Sequence, residues 1–353
     1  MTDQTPSRLR RVLRWLSFRN ASALWVLAAI VIIFSITIPR TFLSPRTWMS
    51  LLDTQAVVAI TAVALVIPLA AGAFNLAIGA QVGVASMLIG WLLVPMGLPI
   101  PLSILITLVF GGLVGYVTGV IIVRARIDSF IATMGMSSLL AATVTLLSGG
   151  KQILGMPPAL GDFGTGRVLG FTYPFLVMLV LAFIVWYVLE RTPLGRRVYA
   201  TGGNMEAARL SGVNVSAIVI GSLVACALLT SVAGILVTAR LTNSDPTIGP
   251  AYLLPAFTAA FLGSTQFQGG RFNVWGTVLS VYVLAAGVKG LQLSGAPLWI
   301  PDAFNGVALL VAVGLASSVR LAGRRSLWDR LRGRRVDDST PAEPVEEPVA
   351  RIR

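Results

Sequence analysis

Two long apolar segments enclose a polar stretch at residues 190–215, ERTPLGRRVYATGGNMEAARLSGVNV. The polar stretch is rich in Arg and Gly, whereas the flanking segments 172–189 and 216–239 contain no charged residue. An uncharged apolar run of about 20 residues is long enough to cross the hydrocarbon core of a bilayer as a helix. We therefore expect 190–215 to lie at a membrane surface, between two transmembrane helices.

The whole chain has the composition of an integral membrane protein. Of its 353 residues, 56% are hydrophobic and 12% are charged, and the mean hydropathy is +0.83. Soluble domains carry about 25% charged residues, so a soluble multidomain enzyme is excluded. The net charge of +13 could indicate a nucleic-acid partner. However, the Arg residues flank apolar spans and form no face with interleaved aromatic residues, so no nucleic acid is expected.

The residue types also limit the chemistry. The sequence has no His, and its one Cys, Cys226, lies in an apolar run; a disulfide framework, a His-based metal site and a nucleophile–His pair are therefore excluded. Neither Lys151 nor Lys289 has the spacing of a phosphate-binding loop. The sequence LSGGKQ at 147–152 is interpreted as a Gly-rich helix stop. We expect a non-catalytic chain without a cofactor, and a separate subunit that binds ATP-Mg.

Ten apolar windows predict an all-α integral membrane protein with about ten transmembrane helices. The windows are 21–38, 51–71, 76–94, 102–123, 127–147, 172–189, 216–239, 252–264, 274–291 and 302–319. The window 252–264 is short for a crossing, and GAFNLAIG at 72–79 interrupts a continuous apolar stretch. Both features predict broken or re-entrant helices. Glycines at four-residue spacing, Gly111, Gly115 and Gly119, predict close packing against a neighbouring helix.

The distribution of basic residues predicts the orientation. Arg residues cluster before the first window, after the fourth, within 190–215 and after the last window. By the positive-inside rule this side is cytoplasmic, and so are both termini. The predicted organisation is a basic cytoplasmic N-terminus (1–20), a transmembrane domain (21–320) and a cytoplasmic tail (321–353). The first part of the tail is basic and suited to lipid headgroups, and the second part is acidic and Pro-rich and is expected to be disordered.

Charged residues within the windows are sparse. No chain of buried carboxylates is visible, which disfavours a proton-coupled secondary transporter. Asp53, Asp128 and Asp302 lie at span ends, where a carboxylate near a helix start is stabilised. Arg240 and Asp245 bracket a polar turn. They are interpreted as a surface ion pair or, alternatively, as a docking contact for an extracytoplasmic partner.

A short surface helix is predicted within 190–215. Asn204 is a favourable N-cap residue, residues 205–210 form the helix, and Gly212 ends it. The adjacent glycines at 202–203 predict a flexible turn before it.

The composition of this helix favours contact with a partner protein. Ala207, Ala208 and Leu210 are expected on one side, where small residues allow a close fit in a groove. Polar contacts around it would come from Arg196, Arg197, Glu206 and Arg209. A helix that rests on lipid headgroups is the alternative.

Four motifs together resemble a known family. They are TPLGRRVYATGGNMEAARLSGVNV (192–215), FNLAIGA (74–80), FIATMGM (130–136) and ARLTNSDPTIGPAYLLPAFTAAFLGSTQFQGGRFNVWGT (239–277). They are similar to the ABC sugar importer permeases of the ribose type, and 192–215 resembles the coupling loop of that family. The resemblance extends over about residues 50–320. It implies that the loop contacts a cytoplasmic ATPase through Gly195, Arg196, Gly202, Gly203, Asn204, Glu206, Ala207, Ala208 and Gly212.

The resemblance also implies partners and a location. Two permease copies, identical or paralogous, would surround the pathway in a bacterial cytoplasmic membrane. Two ATPase sites would power them, and an extracytoplasmic binding protein would deliver a monosaccharide. The implied mechanism is ATP-driven alternating access. A stand-alone facilitator, or a permease for branched-chain amino acids or nucleosides, remains an alternative.

The chain departs from the family where charges are common. It has Asn75 in place of an acid in FDLSVG, Leu253 and Pro255 in place of acids in GYELDAIAA, and GSTQ (263–266) in place of GGTS. These changes leave the pathway less polar and the particular solute open. Residues predicted to line the pathway are Phe74, Asn75, Met134, Phe257 and Gly263, with Asn75 as a hydrogen-bonding partner for hydroxyl groups.

Overall fold

The computed structural model describes residues 22–168, 170–265, 270–297 and 299–314, and it consists almost entirely of helices. In chain order the helices are α1 (Ser22–Thr37), α2 (Pro39–Phe42), α3 (Pro45–Ala70), α4 (Ile78–Leu93), α5 (Ile100–Ala125), α6 (Ser129–Ser148), α7 (Pro158–Thr165), α8 (Tyr173–Arg191), α9 (Pro193–Gly203), α10 (Met205–Leu210), α11 (Val215–Leu241), α12 (Leu253–Ser264), α13 (Val274–Leu293) and α14 (Ile300–Gly314). A 3-10 turn, Gly249–Tyr252, precedes α12. An antiparallel hairpin joins β1 (Arg167–Val168) to β2 (Phe171–Thr172).

A helix lies at each of the ten predicted windows. Among the described residues, six helices are long and apolar enough to cross a membrane, namely α3, α5, α6, α8, α11 and α13. The all-α membrane fold is thus confirmed, while the number of crossings and the orientation stay predictions. The predicted terminal regions, 1–20 and 321–353, lie outside the described residues.

Both predicted interruptions occur. Helix α3 ends at Ala70 and α4 begins at Ile78, with non-helical backbone between them. We call 71–77 the break. Helix α12 has only 12 residues. The predicted helix stop after α6 is also present, because Gly149 adopts a left-handed backbone (φ 58°) directly after Ser148.

Helices α3, α4 and α11 form the packed centre of the molecule. Helix α3 is buried almost without interruption from Ala56 to Ala70, which suits a helix whose residues are apolar on every side. The predicted glycine stripe on α5 packs against α11. A Cβ on Gly115 would lie 2.6 Å from the Leu223 carbonyl oxygen, and one on Gly119 would lie 2.9 Å from the Ile220 Cα. The small-residue prediction is therefore confirmed as a close helix–helix contact.

Candidate functional site

The polar stretch after α8 folds into two short helices, α9 and α10, which we call the loop helices. Thr192 caps α9 by accepting a hydrogen bond from the Gly195 amide at 3.4 Å. Asn204 caps α10 in the same way, with its Oδ1 3.0 Å from the Ala207 nitrogen. Gly212 follows α10 with a left-handed backbone (φ 81°). The predicted cap, helix and stop are thus confirmed.

The two adjacent glycines do not form the predicted turn. Gly202 and Gly203 are the last two residues of α9. A Cβ on Gly202 would overlap the carbonyl oxygen of Ala70, the last residue of α3, whereas a Cβ on Gly203 would meet none of the described atoms within 4 Å. The flexible-turn prediction is wrong because Gly202 serves a close approach between two helices. Gly202 therefore places α9 in direct contact with the end of α3.

The residues predicted to contact an ATPase fall into an exposed and a buried group. Arg196, Gly202, Gly203, Asn204, Glu206, Ala207 and Gly212 are exposed. Gly195 is buried against Leu189. Ala208 is 5% exposed and packs in a cluster with Ala73, Val215, Val219 and Leu223.

The predicted common side of Ala207, Ala208 and Leu210 is therefore wrong. Ala208 points into the protein, while Ala207 is exposed and Leu210 is 88% exposed. An ion pair between Glu206 and Arg209, 3.6 Å apart, lies on the exposed surface of α10. The ATPase-contact role of all these residues stays a prediction, and Gly195 and Ala208 can act in it only by positioning the loop helices.

Tyr199 ties α9 to the segment before α13. Its hydroxyl donates a hydrogen bond to the Phe272 carbonyl oxygen at 2.7 Å and lies 3.4 Å from a Glu190 carboxylate oxygen. The Arg271 guanidinium lies 4.0 Å from the centre of the Tyr199 ring, within cation–π range. Burial, followed by the Glu190 charge, raises the pKa of Tyr199 well above its usual range, although Arg271 opposes the shift. The hydroxyl therefore stays protonated and remains a donor.

A cavity of about 560 Å³ lies between α9, the break and the segment before α13. Its lining includes Gly72, Phe74, Tyr199, Gly202 and Arg271. Phe74 is 42% exposed there. This predicted pathway residue thus lies beside the loop helices.

Hydrogen bonds of the Asn75 side chain stabilise the backbone of the break. This side chain is fully buried. The amide nitrogen donates to Gln81 Oε1 at 3.2 Å and to Cys226 Sγ at 3.4 Å, and its oxygen accepts from the Ala77 amide at 3.1 Å. This arrangement differs from the predicted role, because hydrogen bonds within the chain occupy the groups expected to bind solute hydroxyls.

The other predicted pathway residues lie in different surroundings. Met134 is 52% exposed on α6, beside Gly135, whose surroundings are open among the described residues. Phe257 is 8% exposed, and its ring lies 6.3 Å from that of Phe261. A Cβ on Gly263 would lie 2.5 Å from the Thr277 nitrogen, so this glycine serves the contact between α12 and α13. Of the five predicted residues, Phe74 and Met134 are exposed, whereas Asn75, Phe257 and Gly263 are buried. The pathway role of these residues stays a prediction.

The charged residues at the opposite end of α11 form other pairs than predicted. The Arg240 Nε lies 3.8 Å from Asp53 Oδ2, so the predicted pairing with Asp245 is wrong. Asp245 accepts hydrogen bonds from the Thr247 amide at 2.8 Å, the Thr247 hydroxyl at 2.7 Å and Gln152 at 2.8 Å. These bonds, led by that from the Thr247 amide, lower the pKa of Asp245. Asp245 therefore stabilises its own turn.

The connection between the loop helices and the transmembrane helices, made by Tyr199, Arg271 and Ala70, was not predicted from the sequence. The available signal was Tyr199 itself, an aromatic side chain within an otherwise polar stretch. Such a side chain usually buries its ring and places its hydroxyl on a polar partner.

The chain is similar to known permease proteins. Residues 48–313 match the family described as the permease component of branched-chain amino acid transport systems. The chain is 33% identical to the ribose import permease protein of Escherichia coli strain K12 over 89% of this chain and 98% of that protein. It is 30% identical to the fructose import permease protein of Rhizobium meliloti over 85% and 86%, respectively. It is also 30% identical to a permease protein of the autoinducer 2 import system of Escherichia coli O9:H4 over 75% and 81%. No solved structure matches the chain significantly.

Proposed function

Because this chain belongs to the family of permease components of branched-chain amino acid transport systems, we propose that it is the membrane-spanning subunit of an ATP-driven importer. The observation that carries the proposal is the pair of loop helices. They expose a short capped helix and contact two separate parts of the transmembrane bundle, at Ala70 and at Phe272. Such an element suits a subunit that another protein sets in motion.

The proposed cargo is a small polar solute, most specifically a monosaccharide. Supporting this, two similar proteins are named as import permeases for ribose and fructose. The family description instead favours branched-chain amino acids as a second candidate cargo. An extracytoplasmic binding protein would deliver either solute.

The proposed assembly contains two permease copies, identical or paralogous, and ATPase subunits on the side of the loop helices. That side is cytoplasmic by the distribution of Arg residues, and the membrane is the bacterial cytoplasmic membrane. ATP-Mg would be bound and hydrolysed by the ATPase subunits, with no cofactor in this chain.

The proposed mechanism is alternating access. ATP binding displaces α9 and α10, and Gly202 and Tyr199 transmit the displacement to α3 and to the segment before α13. Because the pathway must release its solute, its inward-open and outward-open states have to differ in their affinity for that solute. Selectivity then belongs mostly to the binding protein.

Reconstitution in proteoliposomes tests the proposal. Uptake of radiolabelled D-ribose, D-fructose and L-leucine is measured with the chain alone and with an ATPase subunit and a binding protein added as its partners. We expect uptake of one sugar only with both partners and ATP. Uptake by the purified chain alone would establish a facilitator and contradict the proposal, and uptake of L-leucine alone would favour the second cargo.

A further inference from the structure

A second cavity, of about 260 Å³, lies at the end of the molecule opposite the loop helices. Its position follows from α11. This helix begins at Val215, near Ala208 of α10, and ends at Leu241, next to the cavity residue Arg240. Its 27 residues span about 40 Å. The cavity is therefore separate from the loop helices and from the cavity beneath them.

Residues with polar side chains line this cavity from four helical elements. Gln55 comes from α3, Arg240 from α11, Tyr252 from the 3-10 turn and Asn305 from α14. The remaining wall is mainly apolar and includes Val58, Pro255, Val281, Leu284, Ala285 and Val288. A few polar groups in a mostly apolar concavity are typical of a small-molecule site.

Three of these polar side chains have unused hydrogen-bonding capacity. No hydrogen bond joins the side chain of Gln55, Tyr252 or Asn305 to another residue in the part of the chain that the structure describes. All three residues are partly buried. An apolar occupant would remove water from two amides and a phenol without replacing their hydrogen bonds, which is costly. The occupant should therefore carry its own hydrogen-bonding groups.

Arg240 is already engaged. Its Nε lies 3.8 Å from the Asp53 carboxylate, and its two terminal nitrogens lie 3.4 Å from the Thr54 carbonyl oxygen and 3.2 Å from the Thr54 hydroxyl. A guanidinium that is paired with a carboxylate offers no unbalanced charge to an anion. The cavity chemistry therefore favours an uncharged occupant over a carboxylate or a phosphate.

We infer that this cavity is a binding site for a small uncharged solute with several hydroxyl groups, held by Gln55, Tyr252 and Asn305. Amides and phenols can both donate to and accept from hydroxyl groups, so they match a polyol at several points. The cavity volume lies just below the range of about 300–1,000 Å³ that is usual for ligand pockets. A cavity of this size fits one monosaccharide ring and excludes a larger oligosaccharide. The inference rests on the proposed function, since it identifies a contact for the solute within the permease.

Uptake kinetics in the complete reconstituted importer test the site. The variants are Gln55→Leu and Asn305→Leu, which replace an amide by an apolar group of similar size, and Tyr252→Phe, which removes only the hydroxyl. Gln292→Leu is the matched control, because Gln292 is exposed on α13 and does not line the cavity. With the sugar that the wild type transports, we expect KM to rise about tenfold in Gln55→Leu and Asn305→Leu and to stay constant in Gln292→Leu.

Direct binding separates this inference from the proposed function. Equilibrium dialysis of the purified chain against millimolar radiolabelled D-ribose and D-fructose is expected to show saturable binding to the wild type that Gln55→Leu reduces and Gln292→Leu preserves. If the importer takes up neither sugar but this Gln55-dependent binding is observed, the proposed sugar transport fails and the site stands. If the importer is active while the cavity variants keep the KM and the binding of the wild type, the site is refuted and the function stands. Tyr252→Phe provides the same test if both Leu variants fail to fold.

Discussion

Replacing Gly202 by Ala places a methyl group where the end of α3 already lies. The added carbon would overlap the Ala70 carbonyl oxygen and lie 3.0 Å from the Gly72 nitrogen. Both atoms belong to the backbone and cannot rotate away, so α9 has to move outward. The neighbouring Gly203 has open space around an added Cβ among the described residues. Gly203→Ala is therefore a matched control in the same turn of the same helix.

The expected magnitude follows from overpacking. Inserting a methyl group into a tight contact costs about 1–3 kcal/mol. Gly→Ala in a helix otherwise stabilises by up to about 1 kcal/mol. The net cost is then about 1–2 kcal/mol, and we expect Gly202→Ala to lower the midpoint of thermal unfolding of the purified chain by about 1–3 °C. Gly203→Ala should leave the midpoint unchanged or raise it slightly, as measured by scanning fluorimetry in detergent.

The same two variants test whether this contact carries motion. In the reconstituted importer, Gly202→Ala should reduce ATP-dependent uptake, because α9 no longer contacts α3 at the native distance. Equal unfolding midpoints for the two variants would refute the close packing. A destabilised Gly202→Ala chain with the uptake rate of the wild type would refute the proposed transmission.

Three further substitutions have defined outcomes. Ala207→Trp, on the exposed surface of α10, should abolish stimulation of the ATPase by the permease while the protein stays inserted; unchanged stimulation in vesicles would contradict a docking role. Tyr199→Phe removes the hydroxyl that donates to the Phe272 carbonyl oxygen and should cost about 1–2 kcal/mol of stability, whereas Tyr187→Phe, at an exposed residue of α8, should be neutral in the same melting assay. Since the pKa of Asp245 is lowered in the folded chain, its contribution to stability is present above the unfolded value of about 4 and is lost as the pH falls through the folded value. The difference in melting midpoint between wild type and Asp245→Asn should therefore vanish at strongly acidic pH, and a constant difference from pH 7 to pH 2 would contradict this assignment.

Local chemistry was readable from the sequence. The Asn204 cap and the Gly212 stop depend on neighbours within a few residues, and so does the helix end at Gly149. The glycine spacing on α5 was equally informative, because a four-residue repeat places all its members on one helix face. The apolar windows likewise predicted the helices, since their lengths are set by the thickness of the bilayer.

Tertiary partners were not readable in the same way. The adjacent glycines at 202–203 favour a turn locally, and only the position of Ala70 in the fold explains why Gly202 lies in a helix. Arg240 was assigned to Asp245, five residues away, whereas its partner Asp53 is far removed along the chain. Asn75 was expected to face a solute because it lies in a break, but Cys226 and Gln81 surround its amide.

The two attachments of α9 restrict how it can move. Gly202 touches the end of α3, and Tyr199, three residues earlier, is bonded to the Phe272 carbonyl. Two fixed points define an axis, so α9 can preserve both contacts only by rotating about the line that joins them. Any translation has to carry α3 or the segment before α13 along with it. A force applied to α10 therefore both rotates α9 and displaces the long helices. The direction of the force determines how much of each movement results.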